Sequence, residues 1–190
     1  MKKNCVSILC GFLSLFVTFS LPSVALSQSV EKVKFAKQLV EGAKLSEAAT
    51  LGMRLSVKRA VSEGKASQKF LDCVSAVEPQ IFSKAIENLY ADLLSLTELK
   101  EALKFYQTSS GQKYAMYSLW GTEKYAGFEP SSPPVRVTSE EKSMIDSFVS
   151  SEVGKKLTST SSELASATKQ TVAQIIQPTL KECELTLTKK

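Results

Sequence analysis

Two stretches of the chain, Phe105 to Lys113 and Phe148 to Lys156, share the pattern F-x5-G-x-K at an offset of forty-three residues. Each follows an acidic segment of the kind that starts a helix, and each runs on into an apolar stretch. Hydroxyl residues, Thr108-Ser109-Ser110 and Ser150-Ser151, stand just after the phenylalanine in both copies. Such side chains can end one helix and cap the next. Gly111 and Gly154 then fall in the first turn of the following helix, where a missing side chain permits close backbone approach. The spacing predicts two pseudo-repeated helix–break–helix units, at about 96–120 and 138–165. Helices of this kind bury one stripe each against other helices, so the expected fold is all-α: a helical bundle of antiparallel helix pairs.

The rest of the chain carries the same period. Val30, Val33, Ala36 and Val40 form one amphipathic face. A second helix is expected from about Ser46 to Val61, ended by Gly64. A third carries Phe70, Cys73, Val74 and Val77 and stops at Glu78-Pro79, because a residue before proline disfavours the helical region. A fourth starts at Pro79 and carries Ile81, Phe82, Ala85, Ile86, Leu89, Tyr90, Leu93 and Leu94, a stripe wide enough for the middle of a bundle. Thr97 is the expected N-cap of Glu98–Tyr106, and Thr138 with Glu141 has the capping-box spacing. Between the units, Gly121 to Val137 contains Pro130, Pro133 and Pro134 and reads as a linker or surface loop. From Glu152 to Leu187 the pattern predicts one long helix, kinked at Pro178.

The N-terminus reads as an address. Lys2 and Lys3 precede an apolar run from Val6 to Leu21, and Ala25-Leu26-Ser27 supplies the small residues of a cleavage site before Gln28. Residues 1–27 are therefore expected to be a signal peptide, and residues 28–190 a single domain. The apolar run is short and broken by Gly11 and Pro22, which favours a cleaved signal over a membrane anchor. Localisation is expected to be periplasmic or secreted. Removing 1–27 takes away two lysines and no acid, so the net charge falls from +5 to +3. That mild, mixed charge gives no reason to expect nucleic acid. Cys73 and Cys183 remain, far apart in sequence, and in an oxidising compartment an even pair is most simply a disulfide.

The chemistry available is narrow. There is no histidine, which removes Ser-His-Asp and Cys-His arrangements and His-ligated zinc. The eight glycines form no phosphate-binding loop. Glu140-Glu141 and Glu182/Glu184 pair carboxylates, but on expected helix ends or exposed faces. No catalytic residue, cofactor or metal site is expected. Aromatics gather around the first unit and its loop: Tyr106, Tyr114, Tyr117, Trp120, Tyr125 and Phe128. One reading puts Tyr106 and Tyr117 in the core, with Trp120 and Phe128 holding the loop down. The other makes Tyr117, Trp120, Tyr125 and Phe128 a partner-binding face, since Tyr and Trp combine apolar area with a polar tip. Lys113 and Lys156 are expected to be solvated, with their stems over apolar surface; the alternative is a grip on an acidic partner or phosphate.

The stretch from Leu96 to Lys113, LTELKEALKFYQTSSGQK, resembles the exported bacterial proteins grouped as domain of unknown function 2059. In that family a proline often follows the serine of the break, where this chain has Ser110. The resemblance implies an α-helical periplasmic domain and transfers no catalytic residue. The functional expectation is a non-enzymatic module that binds another protein or an envelope component, with homo-oligomerisation compatible. Two alternatives stand beside it: an immunity or inhibitor protein against a periplasmic toxin, and a carrier of an apolar ligand lodged against the Ile81–Leu94 face.

Overall fold

The computed structural model describes residues 23–188, with side chains described for residues 29–185. Residues 1–22 of the expected signal peptide lie outside the described residues. The helices run in the order α1 (Ser23–Gly42), α2 (Leu45–Ser62), α3 (Gln68–Ser75), α4 (Gln80–Leu93), α5 (Leu96–Tyr106), α6 (Ser109–Tyr125), α7 (Ser139–Ser150), α8 (Glu152–Thr158) and α9 (Glu163–Thr188). Among the described residues there is no strand, so the fold is all-helical, as the periodicity requires. No helix among them is long and apolar enough to cross a membrane.

The core is built around α4, which packs against α1, α2 and α9. Phe82, Ile86 and Tyr90 recur at four-residue steps and face inward, meeting Ala36, Leu39 and Val40 of α1. Full burial of side chains such as Phe82 or Ile86 stabilises by roughly 1.5–3 kcal/mol each. Ile81 departs from the expected stripe: it stands one residue before Phe82, about 100° away round the helix, and is 41% exposed. The stripe therefore has helices on it, and its inward residues fill the core. Leu99 and Ala102 of α5 complete the wall that α1 packs on.

Cys73 of α3 and Cys183 of α9 are bridged, with Cα atoms 5.9 Å apart and a sequence separation of 110. Closing so long a loop restricts the unfolded chain and, on the chain-entropy account, stabilises the fold by about 4–5 kcal/mol. The bend between α3 and α4 is held from outside, because Arg54 Nη2 donates to the Val77 carbonyl at 2.6 Å. α2 ends as expected at Gly64, whose φ of +70° only glycine adopts readily. Lys65 N–H then reaches back to Ala60 O.

Four boundaries differ from expectation. α3 closes at Ser75, before Val77 rather than after it. The cap of α5 is Ser95, not Thr97: Ser95 Oγ accepts from Glu98 N–H while Glu98 returns a carboxylate oxygen to Ser95 N–H. Both arms of that capping box need a Ser/Thr three residues before a Glu, a spacing Thr97 lacks. The irregular stretch starts five residues later than Gly121, because α6 runs through that glycine to Tyr125 and stops where Gly127 takes φ +81°. Finally, the long C-terminal helix is two helices. The hydroxyl run Ser159 to Ser162 breaks it, and Ser162 Oγ caps α9 by accepting from Ala165 N–H. Pro178 does lie inside α9.

Candidate functional site

Two aromatic regions stand out, and they are built differently. The first joins the two helix breaks. At each break one hydroxyl satisfies two backbone groups that the helices leave open. Thr108 Oγ1 donates to Phe105 O and accepts from Gly111 N–H; Ser151 Oγ donates to Phe148 O and accepts from Gly154 N–H. The glycine is required by the same geometry. A Cβ at residue 111 would lie 2.1 Å from Phe105 O, and one at 154 would lie 1.7 Å from Phe148 O. Phenylalanine, hydroxyl and glycine thus form a single device, in which the hydroxyl fixes the carbonyl that the glycine lets approach.

The phenylalanines of the two breaks meet. Phe105 and Phe148 stack with ring centroids 3.8 Å apart and planes within 8°. Tyr106 meets Phe148 edge-on at 5.7 Å. The lysines cross over between the breaks. Lys113 Nζ donates to Glu141 Oε2 at 2.7 Å, and Lys156 Nζ donates to Glu98 Oε1 at 2.5 Å. Each glutamate is the capping-box acid of the other helix pair. These lysines are therefore not simply solvated: the acidic group they grip belongs to the chain itself. Sequence reasoning had Glu141 as a cap but missed both glutamates as lysine partners, which lie 28 and 58 residues away.

The electrostatics follow from these contacts. The Lys156 ammonium, with Ser95 N–H behind it, holds the Glu98 carboxyl at about 2. Lys113 and Thr138 N–H lower Glu141 likewise, and Glu98 raises Lys156. In the core beside this region, burial pushes the phenols of Tyr90, Tyr106 and Tyr114 up. An open groove of about 480 Å³ runs over the stacked rings between α5 and α7, edged by Glu101, Lys104 and Met144.

The second region lies at the C-terminal end of α6. This helix packs through small residues, Ser110, Gly111 and Ala115, so it approaches its neighbours closely. Tyr117 is two positions beyond Ala115, about 200° round the helix, and is therefore turned outward. It is 50% exposed, against the reading that placed it in the core. It stacks on Trp120 at 5.5 Å, and Lys124 Nζ lies 4.8 Å from the indole centroid on the next turn. Tyr125 is 93% exposed, with its ring edge beside Gly121.

The loop after α6 folds back on this face. Ser131 donates from both its N–H and its hydroxyl to Glu123 Oε2, at 3.0 and 3.2 Å. Arg59 Nη2 donates to Ala126 O at 2.6 Å, and Lys58 Nζ sits 4.4 Å from the Phe128 ring centroid. Phe128 thus tucks the loop down, as one of the two readings had it. Between loop and helix is a cavity of about 370 Å³ lined by Trp120, Lys124, Phe128 and the Glu129–Pro134 stretch. A second, of about 220 Å³, shares Trp120 and Ser131-Ser132 and reaches Leu51, Met116 and Glu123. Trp120, Ser131 and Ser132 form the wall common to both. Of the four candidate residues, Tyr117 and Phe128 are each joined to Trp120, by a ring stack and by a shared cavity, while Tyr125 stands on the surface beside Gly121.

Residues 80–116 match the family DUF2059, described as an uncharacterized protein conserved in bacteria. The resemblance read from Leu96 to Lys113 is thereby borne out, and it extends back over the whole of α4. The DUF2059 match takes in the first break with Phe105, Gly111 and Lys113, and ends before Tyr117. No curated protein and no solved structure matches the chain.

Proposed function

We propose that the protein is an exported, periplasmic, non-enzymatic module that binds another protein or an envelope component through the aromatic ledge at the end of α6. The observation that carries this reading is the exposure of Tyr117, stacked on Trp120, with Tyr125 exposed further along α6 and two cavities walled by the indole. Contiguous aromatic area left on a surface marks interaction sites, and Tyr and Trp dominate the anchors of binding interfaces. Lys124 at the ledge supplies a cationic edge for orientation. The long-range Cys73–Cys183 bridge supports export, because such bridges persist in oxidising compartments. An inhibitor or immunity protein is one specific form of this reading. The apolar carrier is less favoured, since α1, α2 and α9 occupy the face of α4 on which a ligand would lie.

The test is native mass spectrometry of the mature protein purified from periplasm, with and without reductant, for the wild type and for a Trp120→Ala/Tyr125→Ala variant. A protein complex carried by the wild type and lost in a variant of unchanged helicity supports the ledge. Equal capture by both removes it, and a bound molecule of lipid size favours the carrier instead.

A further inference from the structure

The contacts between the two helix breaks obey one rule: every residue and its counterpart differ by forty-three positions. Ser95 and Thr138 cap, Glu98 and Glu141 close the capping boxes, and Phe105 and Phe148 stack. Thr108 and Ser151 hold the carbonyls, Gly111 and Gly154 take the close approach, and Lys113 and Lys156 cross over. Lys113 of the first unit grips the glutamate of the second, and Lys156 of the second grips the glutamate of the first. That reciprocity is what a two-fold axis through the phenylalanine pair would produce, the signature of an isologous contact.

We propose that 95–113 and 138–156 are two copies of one self-complementary docking unit, and that this unit also docks on a second copy of the chain. A face that recognises its own counterpart is complementary to the same face on another molecule, because the glutamate, phenylalanine and lysine it needs are all there. α7 and α8 are joined to the rest of the chain by non-helical stretches at 126–138 and 159–162, while α9 is pinned through Cys183. The α7–α8 pair takes Phe148 and Val153 out of the core when it leaves its site, and the same pair from a second copy puts both back. Exchange of matching elements between copies is a low-cost route to a dimer. This surface is distinct from the aromatic ledge, so the proposal stands or falls independently of the proposed function.

Charge reversal tests it in the full chain. One variant carries Lys113→Glu and Lys156→Glu; the other carries Glu98→Lys and Glu141→Lys. Neither can satisfy its own crossed pairs or those of an identical partner, whereas a mixture can satisfy all of them. Each variant alone is expected to be monomeric by light scattering, and the mixture to double in mass as a one-to-one heterodimer. A mixture carrying the same charge changes at exposed Lys69, Lys169, Glu78 and Glu184 keeps the crossed pairs within each chain, so its mass is expected to match the wild type's and not to rise on mixing. A test mixture that stays monomeric, or a control mixture whose mass rises on mixing as much as the test mixture's, overturns the proposal. Should either variant lose its helical signal, the wild type refolded from denaturant at high concentration decides: a dimer fraction supports the proposal, and monomer alone overturns it.

Discussion

The joined helix breaks and the α6 ledge use the same residue types to opposite ends. At the breaks, aromatic rings stack on each other and lysines meet glutamates of the same chain. At the ledge, Tyr117 stacks on Trp120 but keeps half its surface in solvent, and Tyr125 keeps nearly all of its own. Glu141 illustrates the first regime, since its side chain is only 13% exposed and accepts from Lys113, Ser109 and Thr138 at once. The lesson is that residue type does not assign a role. What distinguishes a structural aromatic from a recognition aromatic is whether the chain supplies its partner.

Substitutions at the breaks should break this contrast most visibly. Phe148 is 7% exposed and contacts both Phe105 and Tyr106, so Phe148→Ala should cost about 3–5 kcal/mol, read from denaturant unfolding. Gly111→Ala and Gly154→Ala come next. The added carbon meets backbone rather than a movable side-chain tip, and a loss of about 2–3 kcal/mol is expected for each. Gly52, in the middle of α2, has nothing within 4 Å of where its Cβ would stand. There the same change should stabilise by up to about 1 kcal/mol, through helix propensity alone. Equal effects at Gly52 and Gly154 would remove the close-approach explanation of the F-x5-G-x-K pattern.

How much of this was written in the sequence depends on range. The helices were legible because a 3.6-residue period is a local signal, and the hydroxyl-plus-glycine breaks because capping spans three residues. Errors fell where two local signals competed. Ser95 and Thr97 both suit an N-cap, and the deciding residue is Glu98, which completes a box only with Ser95. Gly121 reads as a stop, yet it sits buried within α6, and the true stop is Gly127 with its left-handed backbone. The run Thr158 to Ser162 carries the same hydroxyl signal as the other breaks but no phenylalanine or glycine, and so its pattern reads as helix. The crossed lysine–glutamate contacts were not legible, because they join residues 28 and 58 positions apart and no spacing rule reaches that far. The outward face of Tyr117 was open to the sequence in principle, since Ser110, Gly111 and Ala115 mark the packed side of α6.

Acid should loosen the breaks by a smaller, graded amount. Glu98 holds its proton only below about 2 in the folded chain, against an ordinary 4.5, and Glu141 is shifted in the same direction. Between those values the unfolded chain binds more protons, so stability falls as pH drops through the window from about 5 to about 2. Melting temperatures across that window should fall less steeply for Glu98→Gln than for the wild type. Parallel curves would show that Lys156 and Ser95 N–H do not hold this carboxylate.

The smallest expected effect on stability is at the ledge, and it sharpens the comparison most. Tyr125→Ala removes a ring that is 93% exposed, so unfolding free energy should change by no more than about 0.5 kcal/mol. Capture of a partner, by contrast, should fall at least tenfold if the ring is an interface anchor. The two readouts separate because stability reports only contacts made within the chain, and this ring makes few. A Tyr125→Ala protein that loses stability like Phe148→Ala would place the ring in the core regime. One that keeps both stability and binding would leave Tyr117 and Trp120 as the residues on which recognition must rest.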